Sequence, residues 1–204
     1  MKIKYYLGVL LLINTLFCYG HSFVIDEKYT GAPFVKNINT EELIASCTKD
    51  ERFWEIFDNE QRKLDLTRCP LYTTKFSFNK LYDLLDKKTV IYHDGDLELV
   101  MQRKHYKTIN NKSTHWNYWN NYNVYEVNLS LVYKQEIRDT ITLAGYSYNP
   151  DFSFYYQTDY YYIDLTGDIY TLSLEDYSYR INLVNKMHYK IDKQNLCFNN
   201  INNI

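Results

Sequence analysis

The sequence has none of the short motifs that by themselves assign a reaction. It contains no G-x-S-x-G nucleophile elbow, no G-x-x-x-x-G-K-[ST] phosphate loop and no H-E-x-x-H metal motif. We therefore predict no catalytic residue, no metal ligand and no cofactor. The enzyme class stays open, with a non-enzymatic protein favoured.

The sequence also lacks a basic block and an extreme net charge. It has 23 lysines and arginines against 25 acidic residues, a formal net charge of −2 at pH 7. Proteins that hold nucleic acid through its phosphates usually carry a clustered basic patch. We therefore expect no nucleic-acid partner.

Two residue types depart from a typical composition. Alanine occurs only at positions 32, 45 and 144, whereas tyrosine occurs 23 times. The codons of an AT-rich genome favour tyrosine, asparagine, lysine and isoleucine, which accounts for much of this pattern. Tyrosine is favoured on adaptable binding surfaces, but its abundance alone does not indicate one.

Residues 1–20 have the pattern of a secretory signal peptide. Lys2 and Lys4 precede an apolar run at 5–17, and we expect cleavage after Gly20. The loss of two lysines changes the formal charge from −2 to −4. The run is short for a membrane span, so an uncleaved signal anchor is the alternative. We expect one secreted, extracellular domain at 21–198, with the secretory-pathway lumen or a signal-anchored location as alternatives, and no later membrane span.

Three cysteines follow the predicted signal peptide, at Cys47, Cys69 and Cys197. An exported chain matures in an oxidising compartment, so at least one disulfide is expected. A helix of about 16 residues between Cys47 and Cys69 would separate its ends by roughly 24 Å, whereas a bridge needs Cα atoms within about 7 Å of each other. We therefore favour a bridge from Cys197 to one of the other two, with the Cys47–Cys69 pair left open.

Two sequons are candidate glycosylation sites in a eukaryotic secretory pathway. They begin at Asn111 and Asn128. Asn111 lies at a predicted turn and is the better site. A glycan on Asn128 requires that its face of the strand be wet.

Residues 40–87 have helical spacing. Thr40 starts a short helix with an acidic first turn. Thr48 and Glu51 form a capping box in front of an apolar stripe that most simply packs on a core. Ser77 caps a further short helix.

From residue 89 onwards the apolar spacing changes from 3.6 to 2, which indicates strands. Asp94 and Gly95 are the expected turn residues of a hairpin between strands at 89–92 and 97–106. Further strands are predicted at 115–133, 137–148 and 152–165.

The C-terminal part alternates most regularly. We predict strands at 159–165, 169–174, 177–183 and 187–191, with turns at 167–168, 175–176 and 184–186. Ile163 then lies opposite Leu172, and one face is apolar across all four strands. The other face is expected to be wet, and Tyr162, Arg180 and His188 on it are candidate binding residues.

These patterns predict a β-rich α+β fold. Two or three N-terminal helices (within 40–87) pack on an antiparallel meander of about eight strands (88–192), and a frayed tail follows at 199–204. The alternative is an all-β sandwich or a lipocalin-like barrel with an internal cavity.

Residues 114–122 contain the aromatic residues that codon bias explains least. They include Trp116, Tyr118, Trp119 and Tyr122. Alternation places Trp116 and Trp119 on opposite faces, so one of them is expected to be exposed. Exposed tryptophan and tyrosine are common binding anchors. The alternative is one core tryptophan and one partly buried edge residue.

The preferred function is a secreted or surface-exposed protein that binds an extracellular protein or glycan through these aromatic residues. A small-ligand carrier is the first alternative and requires a barrel cavity. A secreted hydrolase is the second, and requires a histidine and a carboxylate within hydrogen-bond reach in a cleft.

Overall fold

The structure is a computed structural model that describes residues 23–47, 67–109, 121–150, 152–177 and 180–201. Three predicted features lie wholly or mostly outside these residues. They are the signal peptide (1–20), the helix after Thr48, and residues 114–122, which we call the tryptophan segment. Within the described ranges, no helix is both long enough and apolar enough to cross a membrane.

An antiparallel sheet of eight strands dominates the described part of the chain. The strands are β1 (Thr89–Asp94), β2 (Leu97–Ile109), β3 (Asn121–Tyr133), β4 (Glu136–Asn149), β5 (Phe152–Ile163), β6 (Asp168–Tyr177), β7 (Arg180–Asp192) and β8 (Cys197–Asn200). Each strand pairs with the next one along the chain, so the spatial order is β1 to β8. The predicted β-rich meander of about eight strands is confirmed.

Short helices precede the sheet. They are a 3-10 turn (Glu27–Tyr29) and the α-helices α1 (Phe34–Asn37), α2 (Thr40–Cys47), α3 (Pro70–Thr73) and α4 (Phe78–Leu84). The Ser77 side chain caps α4 through the N–H of Lys80, as predicted. For α2 the capping side chain is Asn39, one residue before the predicted start, because its Oδ1 accepts from the N–H groups of Glu41 and Glu42.

The sheet curls but does not close. Its hydrogen-bonded order ends at β1 on one side and at β8 on the other. At one edge, the N–H of Phe198 in β8 donates to Asp139 Oδ2 of β4 at 2.8 Å. The alternative of a closed barrel is therefore wrong for the described strands.

The first hairpin forms where predicted, with its turn one residue later. Asp94 pairs with Leu97, so the two loop residues are Gly95 and Asp96. Gly95 has a φ of +61°, a conformation that glycine adopts without the clash a side chain would meet.

The predicted register between β5 and β6 is wrong. Ile163 pairs with Ile169 rather than Leu172. The cause is the Asp164 carboxylate, whose Oδ1 accepts from the N–H groups of Thr166 and Asp168 and so holds a three-residue loop instead of a two-residue turn. Gly167 closes this loop with a φ of +84°.

The other predicted C-terminal turns are also wrong. Residues 175–176 lie inside β6, and residues 184–186 lie inside β7. Neither segment contains glycine or proline, and a bulge between Ser173 and Leu174 lets the pairing continue. The observed eighth strand is Cys197–Asn200, so Asn199 and Asn200, assigned above to the tail, are paired.

Both faces of β5 and β6 contribute to cores. Tyr161, Ile163 and Ile169 join the large core formed with β2–β4 and α4. Leu172 and Leu174 instead pack beneath α1–α3. The expected single apolar face is therefore divided between two cores, and the expected wet face is largely covered.

The N-terminal segment is fixed to the free edge of β5. The N–H of Ala32 donates to Tyr161 O at 2.7 Å, and the N–H of Ile163 donates to Thr30 O at 2.8 Å. Gly31 lies between these bonds with a φ of +85°, and a Cβ there would collide with the Tyr161 carbonyl oxygen. Only glycine fits this contact without strain.

The disulfide joins Cys47 to Cys69, so the preference for Cys197 is wrong. The two Cα atoms are 4.8 Å apart despite a separation of 22 residues. The prediction assumed that a straight helix sets the distance between these cysteines, and the observed Cα separation contradicts this assumption. Cys197 is a free thiol that donates to Asn199 Oδ1 at 3.3 Å.

Candidate binding surface

Aromatic rings lie side by side on one face of β2–β5, next to α4. We call this group the aromatic surface. Its members are Phe78, Tyr82, His105, Tyr125, Tyr146, Tyr148 and Tyr156. All seven keep part of their side chain exposed, and His105 is the most open.

Strand pairing brings these rings together. His105 of β2 pairs with Tyr125 of β3, which pairs with Tyr146 of β4. Tyr148, two residues further along β4, pairs with Tyr156 of β5. Alternate residues of a strand point to one side, so the four strands present these side chains to the same face.

Several rings are nearly parallel. The centroids of His105 and Tyr125 are 4.3 Å apart at an interplanar angle of 10°. Tyr125 and Tyr148 are 6.5 Å apart at 7°, and Tyr146 and Tyr156 are 6.0 Å apart at 16°. Such a surface offers flat faces and hydroxyl groups at nearly fixed positions.

Helix α4 forms one border of the aromatic surface. Tyr82 meets Tyr125 edge-to-face at a centroid distance of 5.7 Å. The Tyr82 hydroxyl donates to Lys104 O at 3.1 Å, and the Arg103 guanidinium donates to Tyr82 O at 3.3 Å. The same guanidinium lies 5.4 Å from the centre of the Tyr82 ring, a cation–π contact. These contacts hold α4 against β2.

Two tyrosines of the surface, Tyr125 and Tyr146, remain neutral at physiological pH because their pKa values are raised. Burial raises the pKa of Tyr125, and the neighbouring Tyr148 raises it further. Burial likewise raises the pKa of Tyr146. Neutral phenols can donate hydrogen bonds to a ligand while their rings stack on it.

The predicted aromatic patch is described only at its C-terminal end. Tyr122 lies in β3 and pairs with Thr108, on the opposite face from Tyr125. Burial raises the pKa of Tyr122, whereas a hydrogen bond with Asn149 lowers it. Trp116, Tyr118 and Trp119 lie outside the described residues, in the segment that joins the paired residues Ile109 and Asn121.

Tyr162 and His188, two other predicted binding residues, come together in a different place, on β5–β7. Tyr162 pairs with Tyr170, which pairs with His188. The rings of Tyr170 and His188 stack at 4.3 Å and 15°, and Lys36 Nζ lies 5.5 Å from the Tyr170 ring centre. We call Lys36, Asp164, Asp168, Tyr170 and His188 the polar cluster.

The Asp164 carboxylate is the most buried charged group of the polar cluster, at 6% exposed. Burial alone would raise the pKa of Asp164, but hydrogen bonds from Lys36, Thr166 and Asp168 outweigh it and lower that pKa. The carboxylate is therefore ionised, and its role in the loop after β5 is structural.

Asp168 and His188 approach each other without forming a hydrogen bond. His188 Nε2 lies 3.6 Å from Asp168 Oδ2, beyond the usual length of such a bond. His188 Nε2 and Asp168 Oδ1 are buried and lack a partner within the described residues. Among those residues, no three histidine, cysteine or acidic side chains are placed to hold a metal ion.

Arg180 does not join the row of Tyr162 and His188. Its backbone pairs with Tyr177 at the far end of the β6–β7 hairpin, and its side chain lies outside the described residues. The expected polar row around Arg180 depended on a turn at 175–176, but these residues lie inside β6.

The glycosylation candidates have different outcomes. Asn111 lies outside the described residues. Asn128 is 4% exposed, and its Oδ1 accepts from the Thr142 hydroxyl at 3.1 Å. A glycan is attached through Nδ2, so it would require this buried side chain to become exposed.

An open cleft of about 810 Å³ lies between the N-terminal segment, α3 and α4. Phe34, Phe76 and Leu81 form part of its apolar lining, and Lys28 and Lys80 line its polar part. The cleft lies outside the sheet, so it differs from the internal barrel cavity that a lipocalin-like carrier would need.

Sequence reasoning missed the aromatic surface. Its members come from α4 and four strands, and only their cross-strand pairing makes them neighbours. A usable signal was the recurrence of Tyr125, Tyr146 and Tyr148 at alternating positions of consecutive strands.

Comparison with family models, curated proteins and solved structures gives no match for this chain.

Proposed function

We propose that this chain is an extracellular binding protein that engages a macromolecular or glycan partner through the aromatic surface, without catalysis. The observation that carries the proposal is the array of seven partly exposed aromatic side chains on β2–β5 and α4, with adjacent ring centroids 4.3 to 6.5 Å apart.

The rings of the aromatic surface are preorganised for binding. A tyrosine has two rotatable side-chain bonds and presents a large amphipathic area, so ordering it on binding costs little entropy. Here the neighbouring rings and the contacts of Tyr82 have already limited that freedom. Contiguous apolar surface that remains open on a protein commonly marks an interaction site.

The tryptophan segment supports the same location. Residues 110–120 connect β2 to β3, the two strands that contribute His105 and Tyr125. Trp116 and Trp119 are therefore close in sequence to the aromatic surface, and we include them in the proposed binding site.

Two features support the extracellular location. Residues 1–20 have the pattern of a secretory signal. The Cys47–Cys69 disulfide is a cross-link that persists in oxidising compartments.

The test compares variants that differ only in the face they alter. Tyr148→Ala and Tyr156→Ala remove rings of the aromatic surface. Tyr106→Ala is the matched control, because Tyr106 is a 42% exposed tyrosine of β2 that lies on the opposite face from His105. Each protein is tested on an array of purified glycans and extracellular proteins, and its thermal unfolding is recorded.

The expected result is a ligand of the wild type that is lost in both aromatic-surface variants and kept in Tyr106→Ala, at similar unfolding temperatures. Loss of binding by roughly tenfold or more is expected if each ring is a hot-spot contact. Binding that is unchanged in both variants would contradict the proposal.

A further inference from the structure

We infer that the partner of the aromatic surface is an acidic polysaccharide, whose sulfate or carboxylate groups pair with a basic stripe along β2. This inference rests on the proposed function, since it names the chemistry of the ligand for the same surface.

The basic stripe runs through Arg103, His105 and Lys107, at every second position of β2, and its formal charges are those of Arg103 and Lys107. They lie opposite Val127, Tyr125 and Asn123 of β3. All three are exposed. Alternate strand positions are about 7 Å apart, so the stripe runs for about 14 Å along one border of the aromatic surface.

The stripe and the rings form one continuous surface. The His105 ring stacks on Tyr125 at 4.3 Å, and the Arg103 guanidinium lies over Tyr82 at 5.4 Å. A guanidinium has five N–H donors, and one interaction with the Tyr82 carbonyl leaves others to face a ligand. Arg103 and Lys107 both place a positive charge along this border, which favours an anion there.

A polysaccharide fits this combination better than other polyanions. Sugar rings have apolar C–H faces that stack on tyrosine, while their sulfate or carboxylate groups project sideways toward a basic border. The formal net charge of the whole chain is −2, which weakens long-range attraction to every polyanion alike, so the stacking contacts have to supply the selectivity. The disulfide further favours a ligand of the cell exterior, where acidic polysaccharides occur.

The test uses heparin as the sulfated probe, hyaluronan as the carboxylated probe and dextran as the neutral one. A single-stranded DNA oligonucleotide and poly-glutamate serve as competing polyanions.

Lys107→Gln is compared with Lys104→Gln. Both remove one lysine charge from β2, but Lys104 lies on the opposite face. Lys107 is substituted instead of Arg103, because Arg103 also contacts Tyr82 and its loss would disturb α4.

Heparin or hyaluronan is expected to bind the wild type, and dextran is not. Lys107→Gln should weaken the affinity by about three- to tenfold at low salt and flatten its salt dependence, because fewer counterions are released. Lys104→Gln should change the affinity by less than about twofold. Tyr148→Ala should weaken the same interaction, which separates this site from a purely electrostatic one.

Three outcomes would overturn the inference. Equal weakening by Lys104→Gln and Lys107→Gln would show diffuse charge attraction. Competition by the oligonucleotide or poly-glutamate as effective as that of heparin would show a general polyanion site. Failure of both acidic polysaccharides, while another partner still requires Tyr148 and Tyr156, would remove this inference and leave the proposed function standing. If no partner requires those tyrosines, both fail.

Discussion

Lys36 and Asp164 are joined by a 2.7 Å contact between Nζ and Oδ2, although 128 residues separate them in sequence. The contact ties α1 to the loop between β5 and β6. Asp164 also accepts from the Thr166 hydroxyl at 2.6 Å and from two backbone N–H groups. One buried carboxylate thus organises a loop and fixes a helix to the sheet.

Asp164→Ala should destabilise the protein strongly. The change leaves two N–H groups of the β5–β6 loop without their acceptor, and we expect a loss of about 2–3 kcal/mol in the free energy of unfolding. Lys36→Met is the control and should cost less, because Lys36 is 39% exposed and the loop bonds survive. Urea denaturation measures both, and a larger loss for Lys36→Met would contradict the assigned role of Asp164.

The contribution of Asp164 should depend on pH. Its pKa in the folded state is lowered, so the ionised form stabilises the fold at pH values above the unfolded-state pKa. This stabilisation is lost as the pH falls through the lower, folded-state pKa. Asp164→Asn keeps the shape but cannot ionise. The stability difference between wild type and Asp164→Asn should be constant from about pH 5 to 7 and shrink below about pH 4. If this stability difference grew on acidification, the pKa of Asp164 in the folded state would be raised and not lowered.

Gly31→Ala should be more destabilising than Gly95→Ala. Both glycines have a positive φ, so both substitutions introduce backbone strain of about 1 kcal/mol or more. A Cβ at position 31 also collides with the Tyr161 carbonyl oxygen, whereas a Cβ at position 95 meets nothing within 4 Å. The difference between the unfolding temperatures of the two variants measures the effect of the collision. Equal decreases in unfolding temperature would show that the N-terminal segment can move away from β5 freely.

Removal of the Cys47–Cys69 disulfide should lower stability. For a loop of 22 residues, the chain-entropy model gives about 3 kcal/mol. A Cys47→Ser, Cys69→Ser double variant should show this loss in urea, and Cys197→Ser should not. Mass spectrometry without reduction checks the pairing directly. A bridge that includes Cys197 would contradict the structure.

Trp116→Ala and Trp119→Ala should each distinguish binding from packing. If the tryptophan segment extends the aromatic surface, partner affinity falls while the unfolding temperature is unchanged. If either tryptophan belongs to the core, the unfolding temperature falls, since truncation of a buried tryptophan costs about 3–5 kcal/mol. Calorimetric unfolding and a binding isotherm on the same samples separate the two.

The sequence predicted the class of fold because that property depends on local periodicity. The change to a two-residue period at Thr89 and the Gly95 turn were sufficient to place a meander of about eight strands, and Ser77 was identified as a cap. The register of β5 against β6 could not be predicted from the sequence, for a specific reason. Whether Gly167 closes a two-residue or a three-residue loop depends on the Asp164 side chain, and a shift by an odd number of residues moves every later side chain to the other face.

The aromatic surface shows the same division between local pattern and tertiary pairing. The sequence alone determined the residues available for it: many tyrosines, a tryptophan-rich segment, and basic residues at alternate positions 103 and 107. The tertiary structure decided which of them meet. Cross-strand pairing placed His105, Tyr125 and Tyr146 side by side and separated Tyr162 and His188 from them, because neighbours across a sheet are set by register and not by position along the chain.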